Sequence, residues 1–303
     1  DYLAERGITI SLSFDGVPEV QRIRGEGTFE TLDAALDRLR ERHPYHFRRA
    51  VEISVTVPPE AVPLLADSIE YLYGKGVARI NLNPVVTHAP EWSDERLAEL
   101  EAQFDRILGS SIAHLERTGD IPLETYSGEG ISVDQGVTSR AMCEVVDSNS
   151  WAVDVDGTVS GCTLFAPSVQ AYGSELLREC RSVMEVGSVD DPDTRERLGE
   201  FGEKVGALPM MSKKEKKYSS YRRCADCRFF AVCVTCPVSI GFAEGNTDPH
   251  RVPDYYCAFI YTALASRDGF PVQPTDREVL RGDEYRELRE KWRHMANEAR
   301  REA

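Results

Sequence analysis

Apolar and polar positions repeat with two different periods along the first third of the chain. Residues 7–13 (Gly-Ile-Thr-Ile-Ser-Leu-Ser) and 51–57 (Val-Glu-Ile-Ser-Val-Thr-Val) are strand-like, as are 77–83 (Val-Ala-Arg-Ile-Asn-Leu-Asn). The first is expected to be a buried strand. Between them the period lengthens. Phe29, Leu32, Ala35, Leu36 and Leu39 recur at helical spacing over 28–42, with Thr28 as the expected N-cap. Val62, Leu65, Ile69 and Leu72 do the same after Pro58-Pro59, up to Gly74 and Gly76. Ser93 opens a long helix carrying Leu97, Leu100, Phe104, Ile107 and Leu108. Asp15-Gly16 turns the chain after the first strand, and Pro18 keeps that strand from continuing. Three strand–helix units in a row imply an α/β arrangement of parallel strands with helices outside, half of a barrel.

Past residue 118 the pattern changes. Segment 118–142 is polar and rich in Gly and Ser, a bridge to a second domain. Residues 151–159 alternate and then turn at Asp156-Gly157, the pattern of a hairpin that delivers Cys162. Asp154 and Asp156 are candidate acid–base groups, but carboxylates in turns are more often structural. Lys213, Lys214, Lys216, Lys217, Arg222 and Arg223 form a basic run, read as a solvated linker, with docking of an acidic leader peptide or an electron donor as the alternative. Residues 275–302 read as a charged helix with a narrow stripe of Leu280, Tyr285, Leu288 and Trp292.

Composition narrows the function classes. A net charge of −15 argues against nonspecific nucleic-acid binding and gives no membrane-surface signal. No apolar run is long enough to span a bilayer. The length of 303 residues allows one large or two medium domains. Residue 1 is Asp rather than Met, which suits a fragment or a processed form.

The eight cysteines carry the candidate chemistry. Five lie in one stretch: Cys224-Ala-Asp-Cys227, five residues, Cys233-Val-Thr-Cys236-Pro237, then Cys257. Cys143 and Cys162 stand upstream around Gly157, and Cys180 stands apart. Thiolates two residues apart can meet at one metal through a tight turn. Two such pairs and a fifth cysteine exceed one tetrahedral site; Cys143 and Cys162 bring the candidates nearly to two centres of four thiolates each. Zinc and iron–sulfur both fit this composition. A disulfide framework does not suit a chain of this size without a signal peptide, and cysteine-rich metal chemistry in such a chain points to the cytoplasm.

The longer pattern of Cys143, Gly157, Cys162, C-x2-C-x5-C-x2-C and a lone Cys257 resembles the SPASM domain of radical S-adenosylmethionine (SAM) enzymes. It departs at Val234-Thr235, where the family usually has three residues. The segment 186–202 resembles the short strand and helix between the cysteine sets of that family. The resemblance implies two auxiliary [4Fe–4S] clusters, one on Cys224, Cys227, Cys233 and Cys257 and one on Cys143, Cys162 and Cys236. The second set lacks a fourth ligand. Either Cys180 completes it or an iron stays open to substrate, water or another side chain; the alternative for Cys180 is a buried apolar filler.

Ser13-Phe14-Asp15-Gly16, followed by Arg22-Ile23-Arg24-Gly25, resembles the fourth strand and loop of the radical SAM partial (β/α)6 barrel. The three strand–helix units would then be barrel units four to six. The resemblance implies that Ser13 and Arg24 contact the SAM methionyl carboxylate and that Leu82 lies near the adenine. Asn81 and Asn83 would point to the opposite side. The expected organisation is a partial barrel over 1–117, a bridge over 118–142, a SPASM domain over 143–265 and a tail and helix over 266–303. The C-x3-C-x2-C loop that ligates the SAM-cleaving cluster occurs nowhere in the sequence. This chain by itself is therefore not expected to cleave SAM; SAM and a third [4Fe–4S] cluster are expected only with the missing half.

Members of this family mostly modify peptides or proteins. Sulfatase maturases carry an Asp directly after the cysteine matching Cys162, as a base. Thr163 stands here and cannot take that proton near neutral pH. This favours modification of a ribosomally made peptide (a thioether or carbon–carbon crosslink, or epimerisation with Cys180 as the donating thiol) over formylglycine formation. A leader-binding protein and an electron donor are the expected further partners. A non-catalytic iron–sulfur or zinc module that holds a peptide or passes electrons is the reading from a different class.

Overall fold

A computed structural model describes residues 2–86, 92–127, 151–166, 168, 175–211, 214–230, 232–233, 235–243 and 245–271. Cys143, most of the expected bridge, Lys213, Val234 and the expected helix over 275–302 lie outside the described residues. The chain divides into two compact units. The first comprises Asp1–Pro84, Trp92–Ile131 and Phe259–Ala303; the second comprises Val85–Glu91 and Ser132–Ala258.

The first unit opens with a helical turn, α1 (Tyr2–Glu5), and is built on three parallel strands in the order β1-β2-β3. They are β1 (Ile10–Ser13), β2 (Val51–Val57) and β3 (Ile80–Pro84). Strand β2 lies in the middle and alternates buried and half-buried along its whole length. Val51, Ile53, Val55 and Val57 face the core; Glu52, Ser54 and Thr56 face the other side. The expectation that the first strand is buried is corrected. β1 is the edge of the described sheet, its apolar Ile10 and Leu12 are half-buried, and its serines are exposed. A strand paired on one side only has less chain to cover it.

Helices α2 (Pro18–Arg24), α3 (Phe29–Arg42) and α4 (Pro44–Ala50) fill the first crossover. Pro18 does more than end the strand: like Pro44 it begins a helix, where its missing N–H costs nothing. Thr28 precedes α3 without capping it. Its hydroxyl donates to the Gly25 carbonyl at 2.7 Å and accepts from Gln21 Nε2 at 2.9 Å. After a 3-10 stretch at Pro59–Leu64, α5 (Leu65–Gly74) forms the second crossover. The long α6 (Asp94–Thr118) is capped by Ser93, which accepts from the Arg96 N–H. Ile69, Leu72, Leu100 and Ile107 are fully buried between sheet and helices. Each such side chain contributes about 1.5–3 kcal/mol. Past α6, Leu123 forms a parallel bridge with Ile80 just before α7 (Glu124–Ser127). Tyr126 stacks on Phe270 at 4.7 Å, and Phe259 packs edge-on to Phe104 at 5.5 Å.

The second unit has shorter elements. Strands β4 (Ala152–Val153) and β5 (Thr158–Ser160) form the expected hairpin. β6 (Glu185–Ser188) adds antiparallel to β5. Helices α8 (Glu175–Met184) and α9 (Thr194–Gly206) flank β6, α10 (Pro237–Phe242) follows the cysteine-rich turns, and α11 (Asp254–Ser266) begins in this unit and continues into the first. The hairpin carboxylates are structural. Asp154 accepts from the Val155 N–H at 2.7 Å and from the Ser168 N–H, and Asp156 accepts from the Thr158 N–H at 2.9 Å. Hydrogen bonds from Ser168, then from Val155, hold Asp154 below the usual carboxylate range.

Candidate iron–sulfur centres and a polar sheet face

A run of tight turns builds the first thiol group. Residues 217–224 fold back on themselves: the Cys224 N–H donates to the Lys217 carbonyl at 2.9 Å, and the Ser219 N–H to the Arg222 carbonyl at 2.9 Å. Ser220 ties the tip to the start of α11, its N–H and hydroxyl reaching Asp254 at 2.8 and 2.7 Å. A 3-10 turn over Cys224–Asp226 returns the Cys227 N–H to the Cys224 carbonyl at 3.1 Å. The next turn carries the Cys233 N–H to the Phe229 carbonyl at 2.8 Å. Cys257 arrives on the first turn of α11.

These four cysteines lie within electrostatic reach of one another. Burial pushes the Cys224 thiol up to about 11; Cys233, Cys257 and Cys227 push the same way, and Lys214 opposes them. Burial likewise raises Cys233 and Cys257. Thiols that suppress each other's ionisation are what a bound metal reverses, because coordination deprotonates them outright. Hydroxyls already aim at two of the sulfurs: Ser219 Oγ donates to Cys257 Sγ at 3.1 Å, and Thr235 Oγ1 lies 3.6 Å from Cys233 Sγ. Among the described residues no group of three His, Cys, Asp or Glu closes around one ion. A single zinc would need its sulfurs about 2.3 Å from one point. A four-iron cluster spreads four thiolates over a wider group, and the four-thiol donor set is compatible with either centre.

Cys162 and Cys236 lie elsewhere in the unit, packed against one apolar core that includes Phe165, Leu177, Met184, Phe201 and Val205. Gly161 sets the position of Cys162. Its N–H donates to the Met184 carbonyl at 2.9 Å, and a Cβ there would come within 1.8 Å of the Phe201 ring. Cys236 is the residue before α10, with its N–H on Tyr256 Oη at 3.4 Å. Ser160 Oγ, two residues before Cys162, is buried with no hydrogen-bond partner among the described residues. A buried hydroxyl left this way suits a sulfide or thiolate beside it. Cys180 is 1% exposed within the same core.

In the first unit the sheet sorts the remaining candidates by face. Ser13 pairs with Ser54, and Ser54 with Asn81, so these three point to one side. Thr56 and Asn83 share that side, and Asn83 Nδ2 donates to Asn81 Oδ1 at 2.6 Å. Leu82 pairs with Val55 on the opposite, core-facing side, so the structure does not bring its side chain to Ser13. Arg24, the last residue of α2, forms a two-pronged ion pair with Asp15: Nε to Oδ2 at 2.6 Å and Nη2 to Oδ1 at 2.8 Å. Asp15 raises the guanidinium above its ordinary value. Asp15 itself is 3% exposed and also accepts the Thr56 N–H at 2.8 Å. The sequence marks Asp15 as part of a turn and of the Ser13–Gly16 stretch but not as the partner of Arg24; Ser54 and Thr56 are legible as the polar half of an alternating strand.

No family model matches the sequence. No curated protein is similar to it by sequence. Solved structures are similar in fold. The structure of native anSMEcpe, an anaerobic sulfatase-maturating enzyme, with bound AdoMet and the Kp18Cys peptide superposes with a TM-score of 0.57 at 14% identity, over 88% of this chain and 68% of that one. The same protein with bound AdoMet alone gives a TM-score of 0.57 at 15% identity, over 88% and 67%. With the Cp18Cys peptide it gives 0.56 at 15% identity, over 88% and 68%. No described helix is long and apolar enough to cross a membrane. The likeness agrees with the cysteine spacing: the chain has the mixed α/β fold of radical SAM/SPASM proteins.

Proposed function

We propose that this chain holds two [4Fe–4S] centres and serves radical AdoMet modification of a peptide. One centre uses Cys224, Cys227, Cys233 and Cys257, the other Cys143, Cys162 and Cys236. The observation that carries the reading is the first thiol group, four cysteines that tight turns and the start of α11 bring within electrostatic reach of one another. With the half that carries the SAM-cleaving cluster present, AdoMet would supply one-electron hydrogen abstraction and the two centres here would take up the electron released. The chain's own residues position and exclude. Ser13 and the free Nη1 edge of Arg24 are suited to a carboxylate, with Asp15 fixing the guanidinium plane.

Two residues bear on the reaction. Thr163 follows Cys162 and offers no base near neutral pH. Cys180 is buried, which does not suit a thiol that must hand hydrogen to a substrate. Together they favour a thioether or carbon–carbon crosslink. Formylglycine formation is the second reading, favoured by the likeness to anSMEcpe with its bound peptides.

Iron analysis of anaerobically reconstituted variants tests the two centres. Cys227→Ser and Cys236→Ser are each expected to remove about half of the iron and sulfide, from different centres. Loss of all iron in either variant, or of none in both, contradicts the assignment. In a peptide assay with AdoMet, a low-potential reductant and the half that carries the C-x3-C-x2-C loop, a crosslink appears as loss of two hydrogens without a carbonyl. An aldehyde trapped by hydrazine supports the second reading.

A further inference from the structure

Two lysines of the basic run, Lys214 and Lys217, do not behave as part of a solvated linker. Lys217 is 1% exposed, and its ammonium donates to the Pro249 carbonyl at 2.7 Å while its own carbonyl receives the Cys224 N–H. Lys214 turns its ammonium onto the carbonyls of Phe230 and Cys233 and lies over the Phe230 ring at 4.9 Å. Both act electrostatically on the Cys224 thiol, and Lys214 also on Cys233. Ser219 and Thr235 add hydroxyls at Cys257 and Cys233. In one small volume the fold thus gathers two pinned ammonium groups and two hydroxyls around four thiols. Burying an ammonium costs several kcal/mol unless an anion lies near it.

We infer that Lys214, Lys217, Ser219 and Thr235 form the outer shell that sets the reduction potential of the centre on Cys224, Cys227, Cys233 and Cys257. The inference rests on the iron–sulfur reading above. Four thiolates on a [4Fe–4S]2+ core leave two net negative charges, and one-electron reduction adds a third. Fixed cations and hydrogen bonds to sulfur favour the more negative state, so they raise the potential and ease electron uptake. Once the sulfurs are ligated they can only accept, so both hydroxyls become donors. The four residues are positioning residues: they touch ligands and carbonyls, not substrate. Thr235 is one of the two residues at which the cysteine spacing departs from the family pattern.

The test is an EPR-monitored redox titration of the anaerobically reconstituted chain and its variants. Lys214→Met and Ser219→Ala are each expected to shift the midpoint of one centre to more negative potential and to leave the other centre unmoved. Ser219→Thr, which keeps the hydroxyl, is expected to restore the wild-type value. Lys217→Met is expected to shift it furthest; because its ammonium is buried, far-UV circular dichroism checks folding, and Lys214→Met decides if Lys217→Met does not fold. Full iron and sulfide with an unchanged midpoint in both Lys214→Met and Ser219→Ala overturns the inference. Wild type that takes up zinc and no sulfide defeats the iron–sulfur reading itself, and the inference falls with it. The two failures are told apart by the sulfide content of the wild type.

Discussion

The two units of the chain hold themselves together by different means. The first has a seven-residue central strand paired on both sides and long helices packed over one face. Its core is mainly apolar, with Gln21, Ser68, Gln103 and His114 buried in it, and the buried Asp15 is matched by Arg24 and by the Thr56 N–H. The second has strands of two to four residues, several single 3-10 turns and a set of half-buried thiols. Strands this short are marginal alone. A packed sheet can carry a unit by burial; the second unit has its own apolar core but places its cysteine-rich turns outside it. On the proposed reading a centre joins those turns and adds its binding free energy to their folding.

The contrast is broken most directly by removing ligands. Cys224→Ser, or chelation of the reconstituted chain, is expected to strip hydrogen-exchange protection from residues 214–257 and to leave β2 and α5 unchanged. Equal loss in both regions would show that the first unit does not stand by itself. A smaller effect runs the other way. Asp15→Ala removes one partner of a nearly buried pair whose arginine is 34% exposed. It is expected to cost the first unit about 2–3 kcal/mol in urea unfolding, less than a fully buried pair, and to leave iron content untouched.

The smallest effect sharpens the comparison through pH. His114 on α6 is 6% exposed, its ring tilted against that of Tyr73 at 4.6 Å between centroids. Burial first, and then Arg117, lowers its pKa from the ordinary 6.5, against Asp120. The unfolded chain therefore takes up the proton more readily. Stability is fully present above about 6.5 and falls as pH drops through that value toward the lower folded one. The urea midpoint of the first unit is expected to fall between about pH 7 and pH 5, and His114→Gln to flatten that slope. An unchanged slope in the variant would assign the pH dependence elsewhere.

Particular residues show what the sequence carries. Residues 51–57 were legible to the residue because a central strand writes its two environments in alternation. The first strand was over-read, since periodicity cannot say that β1 has one neighbour. Pro18 reads as a break because the same residue that ends a strand also starts a helix. The cysteine spacing revealed the thiol group because a two-residue gap is a local turn. Lys214, Lys217 and Ser219 stayed hidden because their places around the thiols come from contacts with residues 230, 249 and 257, distant in sequence.

The measurement closest to the central claim is iron, sulfide and zinc analysis with Mössbauer spectroscopy on the anaerobically reconstituted chain. Two four-iron centres predict about eight iron and eight sulfide per chain, as two [4Fe–4S] clusters. Zinc bound to the thiols with no sulfide, under the same conditions, would contradict the account.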